Sequence, residues 1–251
     1  MKFIKSIFIV IFSIAISLNG QETEAQAPTK KPDLVLVFTK TEGFRHESIA
    51  TGVKALREMG RKNNFIVLRT ESSEDFNAAN LPNYNLVVFL STTMDVLDEN
   101  EQKAFEKYIQ SGGNFLGIHA ATDTEYDWPW YGKLVGGYFE SHPNNPNILE
   151  AKIDVLTNAH SSTAHLNKTW KRSDEWYNFK NLNPDVTVVM KLDESSYEGG
   201  TNGPNHPIAW YHEYDGGRAY YSGGGHTNES YSEPDFRKHL LGAIEWCLGR
   251  N

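Results

Sequence analysis

The sequence holds one cysteine, Cys247, in 251 residues. One chain alone therefore forms no disulfide, and its stability has to come from core packing. A lipid-anchor cysteine near the N-terminus is missing as well. Basic residues never run beyond two in a row, as in Arg61-Lys62 and Lys171-Arg172, and the formal net charge is −8. Phosphate backbones need clustered Lys and Arg, so nucleic acid is excluded as the expected partner. There is no Walker spacing, and Gly223-Gly224-Gly225 leads into no convincing helix. Short metal motifs of the H-E-x-x-H kind are absent too. No apolar run is long enough to cross a bilayer comfortably, since a spanning helix needs about 20 residues.

The longest such run, Ile7 to Leu18, follows Lys2 and Lys5 and precedes a small, polar stretch. That order reads as a secretory signal peptide over residues 1–20, with a flexible spacer over 21–31 and a single domain over 32–251. An uncleaved anchor is the weaker alternative. The expectation is an exported protein, periplasmic or secreted, without stable membrane insertion.

Asp33 to Phe38, Phe65 to Leu68, Leu86 to Leu90 and Phe115 to Ile118 are apolar on both faces, the mark of buried parallel strands. Ser48 to Arg61 and Asp98 to Gln110 carry helical spacing between them. Asp98 with Glu101 forms a capping-box pattern, and Gly112-Gly113 stops that helix. Strand–helix alternation gives an α/β domain with a mostly parallel sheet. The second half adds strands at Leu149 to Leu156, Thr187 to Leu192, Ile208 to Tyr214 and Arg218 to Ser222. Asp215-Gly216-Gly217 is a hairpin turn, and a helix runs from Pro234 to Leu248.

Ligands in such folds bind outside the carboxyl ends of the strands. Four segments leave strands there. Gly43 to Glu47 offers Arg45 and His46, or simply a helix entry favoured by Glu47. Gly117-Ile-His119-Ala-Ala-Thr-Asp123 has the layout of a nucleophile elbow with histidine at the exposed position. Small neighbours clear space around His119, which suits a base, an acid or a metal ligand better than acyl transfer. Tyr126 to His142 is rich in rings, including Trp128 and Trp130, as a sugar-binding rim would be. The last group joins Asp174, Glu175, Tyr177, His206 and His226. Adjacent Asp174 and Glu175 face opposite ways on a strand, so one of them points into the site. No cofactor follows from the sequence. His119, His142 and His226 with a carboxylate leave a divalent metal open.

In their order, Phe44-Arg45-His46, Gly117 to Thr122, Phe139 to Pro143, Asp174 to Tyr177, His206-Pro207 with Trp210, and Gly217-Arg218 with Gly225-His226 resemble the ThuA-like (trehalose utilisation) family. The resemblance runs from about Asp33 to the C-terminus. It implies the flavodoxin-like, three-layer fold of class I glutamine amidotransferases, with extra strands and loops in the C-terminal half. Those enzymes carry a cysteine at the elbow; His119 stands there instead, which disfavours glutaminase chemistry. The resemblance also implies a link to carbohydrate catabolism.

Three functions follow as expectations. The first is a lyase or dehydratase acting on a uronic or oxidised oligosaccharide. Its acid–base groups are His119, His226, Tyr177, Glu175 or Asp174. Arg45, His46, Asp123, Trp128, Trp130, His142, His206, Trp210 and Arg218 bind the substrate. The second is a hydrolase of a glycoside or keto-sugar, metal-assisted or not. The third is carbohydrate binding without catalysis.

Overall fold

The computed structural model describes residues 31–250. The expected signal peptide and all but the last residue of the spacer lie outside these residues. Residues 32–250 form one compact unit.

The elements, in chain order, are β1 (Asp33–Phe38), α1 (Ile49–Lys62), β2 (Phe65–Thr70), β3 (Leu86–Leu90), α2 (Glu99–Gln110), β4 (Phe115–Ile118), α3 (Pro129–Val135), β5 (Tyr138–Ser141), β6 (Ile148–Val155), β7 (Thr169–Glu175), β8 (Asn178–Lys180), β9 (Thr187–Asp193), β10 (His206–Tyr214), β11 (Gly217–Ser222) and α4 (Pro234–Cys247). Nine strands form one sheet in the order β2-β1-β3-β4-β11-β10-β9-β6-β7. The five from β2 to β11 are parallel to one another. The four beyond them add on antiparallel. β5 and β8 pair separately.

Side-chain alternation explains the layers. Phe89 of β3 packs on Phe105 of α2, with ring centroids 5.5 Å apart. Its neighbour Leu90 points the other way, where a Cβ built on Gly52 of α1 would lie 3.1 Å from it. Helices α2 and α3 share the first face through Phe105 and Trp130, 6.1 Å apart. Helices α1 and α4 share the second, tied by the Arg237–Glu58 ion pair at 3.0 Å. The result is the expected flavodoxin-like sandwich, with β1, β3 and β4 buried on both faces.

Local signals act as read. Asp98 accepts from the backbone of Asn100 and Glu101, and Glu101 returns a bond to Asp98 N–H, completing the capping box. The turn between β10 and β11 is two residues, Asp215 and Gly216, both at positive φ. The antiparallel extension does more than widen the sheet. Strand β7 passes over α4, setting Arg172 4.6 Å from the Phe236 ring centre and Trp170 6.3 Å from His239. That return carries the end of β7 back toward the ends of the parallel strands.

Candidate functional site

Four side chains from four distant segments meet at that edge. His119 follows β4 directly, at φ 51°. This left-handed backbone costs a non-glycine residue about 1–2 kcal/mol, and it turns the ring out of the strand direction as an elbow does. His226 follows β11 and the three glycines. His46 lies at the entry to α1. Glu175 is the last residue of β7.

The contacts are close. His119 Nε2 lies 3.1 Å from His46 Nε2, 3.3 Å from His226 Nδ1 and 3.5 Å from Glu175 Oε2. His226 Nδ1 lies 2.9 Å from Glu175 Oε2. Each residue offers one donor atom, and all four atoms fall within 4.8 Å of one another. His46, His119 and Glu175 are buried and His226 half-buried.

Partners outside the quartet hold it. His119 Nδ1 sits 3.1 Å from the carbonyl of Gly223. A carbonyl only accepts, so Nδ1 carries the hydrogen and Nε2 presents a lone pair to the quartet. Asn147 Nδ2 donates to Glu175 Oε1 at 2.9 Å. Ser48 Oγ donates to Gly225 O at 2.9 Å, joining the α1 entry to the His226 loop. Asn147 was not foreseen; a lone Asn after a cis-proline turn has no sequence signature of its own.

Electrostatics follow from this crowding. Burial, together with His119 and His226, lowers His46 to about 2, so it stays neutral. Burial works against ionising Glu175, but the neighbouring His119 and His226 rings hold its carboxyl far below the usual range. Burial lowers His226, and the Glu175 carboxylate more than reverses this, for a net rise.

A second ring surrounds the quartet. Tyr177 lies 4.4 Å from His119 between ring centres and packs on Phe139. Its hydroxyl makes no hydrogen bond among the described residues, and burial raises its pKa well above 10. His142 Nδ1 is 3.6 Å from Glu175 Oε1. Asp123 accepts from Tyr126 at 2.5 Å, and burial raises its carboxyl despite that bond and the charges of His119 and His142. Phe44 is 63% exposed and lies parallel to His226 at 6.5 Å. The sequence reading quoted Phe44 without a role; an exposed aromatic beside a histidine was the available signal.

Other expected residues are placed elsewhere. Asp174 is fully buried and faces away from the quartet. It accepts from Arg172, Ser230 and the backbone N–H groups of Glu175, Gly225 and His226. It fixes the His226 loop. Arg45 pairs with Glu71 and donates to the carbonyl of Thr39. His206 Nε2 donates to the carbonyl of Tyr177 at 2.8 Å, with its Nδ1 2.7 Å from Glu194 Oε1, so it supports Tyr177 from behind.

Trp128 is buried and stacks on Trp130 at 5.1 Å, on the α2 face of the sheet. Their indoles donate to Glu106 and Asp215. These rings pack against Phe105 of α2 and are not among the side chains gathered at the quartet. Trp210 is fully buried, donating to the carbonyl of Val135. Arg218 starts β11, at the opposite end of the sheet, and donates to the carbonyl of Trp246. A hollow of about 530 Å³ lies at that end, lined by Asn114, Asp215, Arg218 and Leu248; the quartet has no part in it.

Solved structures share the architecture. A putative ThuA-like protein from Bacteroides uniformis matches with TM-score 0.74 at 22% identity, over 89% of this chain and 94% of that one. Another from Parabacteroides merdae matches with TM-score 0.69 at 18% identity, over 87% and 90%. A β-galactosidase from Bacillus circulans matches with TM-score 0.57 at 12% identity, over 87% of this chain but 31% of its own. At these identities the likeness is one of fold. No curated protein matches the chain. The family model described as ThuA, trehalose utilisation, matches residues 34–247, and the chain belongs to that family.

Proposed function

We propose that the protein is a carbohydrate-processing enzyme whose reaction centre is the quartet His46, His119, Glu175 and His226. The observation that carries this reading is the convergence of four titratable side chains on one point at the carboxyl ends of the parallel strands. Burying such groups together is costly, and perturbed groups gathered this way mark working sites more often than structural ones. The family's description, trehalose utilisation, supports a sugar as the substrate class.

The groups present suit proton abstraction beside a carbonyl or carboxylate, followed by loss of the neighbouring oxygen. The quartet takes the proton, through the His119 Nε2 lone pair or through a water it activates. Tyr177 stays protonated and holds its hydroxyl free, so it returns a proton to the leaving oxygen. Asp123, lifted by burial, is a further carboxyl that exchanges protons nearer neutrality. Phe44 gives the sugar an exposed face to stack on. The reaction is that of a lyase or dehydratase on a uronic or oxidised oligosaccharide. Hydrolysis is the second reading, favoured by the same quartet if its activated water attacks carbon instead. An exported location goes with this reading, on the leader expected from the sequence.

Mass spectrometry of an oligosaccharide panel tests the reading. Loss of one water signals dehydration, cleavage without added water a lyase, and cleavage with water a hydrolase. His119→Ala should abolish turnover while the protein stays folded by circular dichroism. Undiminished turnover in a folded His119→Ala protein overturns the assignment of the centre.

A further inference from the structure

We propose that His46, His119, His226 and Glu175 form a binding site for one divalent first-row transition metal ion, of the zinc class. The site itself rests on geometry; its use in catalysis rests on the function proposed above. The four donor atoms come as three imidazole nitrogens and one carboxylate oxygen. That set suits a borderline ion such as Zn²⁺ and differs from the all-oxygen cages of Ca²⁺ and Mg²⁺.

Spacing is the first argument. Bonds of about 2.0–2.1 Å to a tetrahedral ion place neighbouring donor atoms about 3.3–3.4 Å apart. Four of the six donor separations measure 3.1, 3.3, 3.5 and 2.9 Å, and all six lie within 4.8 Å. The donors therefore already stand near the edges of a coordination polyhedron.

Hydrogen-bond logic is the second. His119 Nε2 is a lone pair, because Nδ1 donates to Gly223. Protons can bridge His46 to that lone pair and His226 to Glu175. They leave His119 Nε2 and Glu175 Oε2 facing each other at 3.5 Å, acceptor against acceptor. A cation at the centre turns this facing pair into two ligands.

The outer contacts are the third. Metal-bound histidine commonly donates its other nitrogen to a carbonyl, as His119 does to Gly223. A ligating carboxylate is commonly held by a hydrogen bond to its other oxygen, as Asn147 holds Glu175. Asp174 completes the frame by fixing the backbone of His226.

The test is calorimetric titration of the chelator-stripped protein with Zn²⁺, then Mn²⁺ and Co²⁺. One equivalent should bind, and Co²⁺ should give the visible absorption of a site with nitrogen ligands. Glu175→Gln and His226→Ala should each weaken Zn²⁺ binding by 100-fold or more. Asn147→Ala, which leaves every ligand in place, should weaken it about 10–100-fold. No binding by folded wild-type protein, or binding unchanged in all three variants, overturns the site. Metal binding without any sugar turnover keeps the site and removes the proposed function. Turnover by metal-free protein that binds no metal does the reverse.

Discussion

Removing the carboxylate of Asp174 should destabilise the domain severely, although this residue faces away from the quartet. Its oxygens accept from the Arg172 guanidinium at 2.7 Å, from Ser230 at 3.1 Å, and from three backbone N–H groups at 2.8 to 3.0 Å. Burial opposes its charge, but Arg172 and these donors hold its carboxyl below the ordinary range. Asp174→Ala leaves the Arg172 guanidinium buried with Glu233 as its remaining anion. Breaking one side of a buried pair costs about 3–5 kcal/mol. For a domain of this size each kcal/mol moves Tm by about 2–4 °C, so calorimetry should show a drop of roughly 6–20 °C. The double variant Arg172→Met/Asp174→Leu should be at least as stable as the single one, because it removes the orphaned charge. A single variant that melts within a degree or two of wild type refutes the reasoning.

Acid should weaken the fold through its buried neutral histidines. Burial holds His239 at about 3, and the unfolded chain titrates near 6.5. This contribution is whole above pH 6.5 and is lost as pH falls from there toward 3; by pH 5 the loss amounts to about 2 kcal/mol. Urea midpoints at pH 8 and pH 5 read it, and a His239→Gln protein should show a flatter pH dependence. Phe44→Ala should raise KM for the sugar roughly 2- to 12-fold with kcat little changed, the yield of one stacking contact; an equal fall in kcat contradicts a platform role. Gly136 ends α3 at φ 92°, and a Cβ there would meet Trp210 Nε1 at 2.2 Å. Gly136→Ala should therefore cost roughly 2–5 kcal/mol in denaturant melts.

The parallel half was legible because its physics is local. Val87 and Val88 are buried on opposite faces, so an unbroken apolar run betrays the strand. His119 was legible through its small neighbours, which keep room for a ring on a left-handed turn. Strand β7 was harder. Its inward positions are Trp170, Arg172 and Asp174, and two charges facing inward break the apolar period on which such reading depends. Trp128 and Trp130 misled for the opposite reason. Their density suggests a rim, yet it serves the packing of α3 onto α2. His46 was undecidable locally, since its partners lie 73 and more positions away.

The sheet's edge order has a consequence for how the centre opens. The three imidazoles come from the segments that follow β1, β4 and β11, in the parallel part of the sheet. The one carboxylate hangs from β7, which pairs on one side alone, with β6. A strand paired on one side alone has fewer backbone bonds to break on local opening than one paired on both. A fluctuation of β7 would thus withdraw the negative charge first and leave a wholly neutral or cationic trio behind. The Arg172–Asp174 and Arg172–Glu233 ion pairs, on the residues just before Glu175, tie that strand end to the rest of the domain.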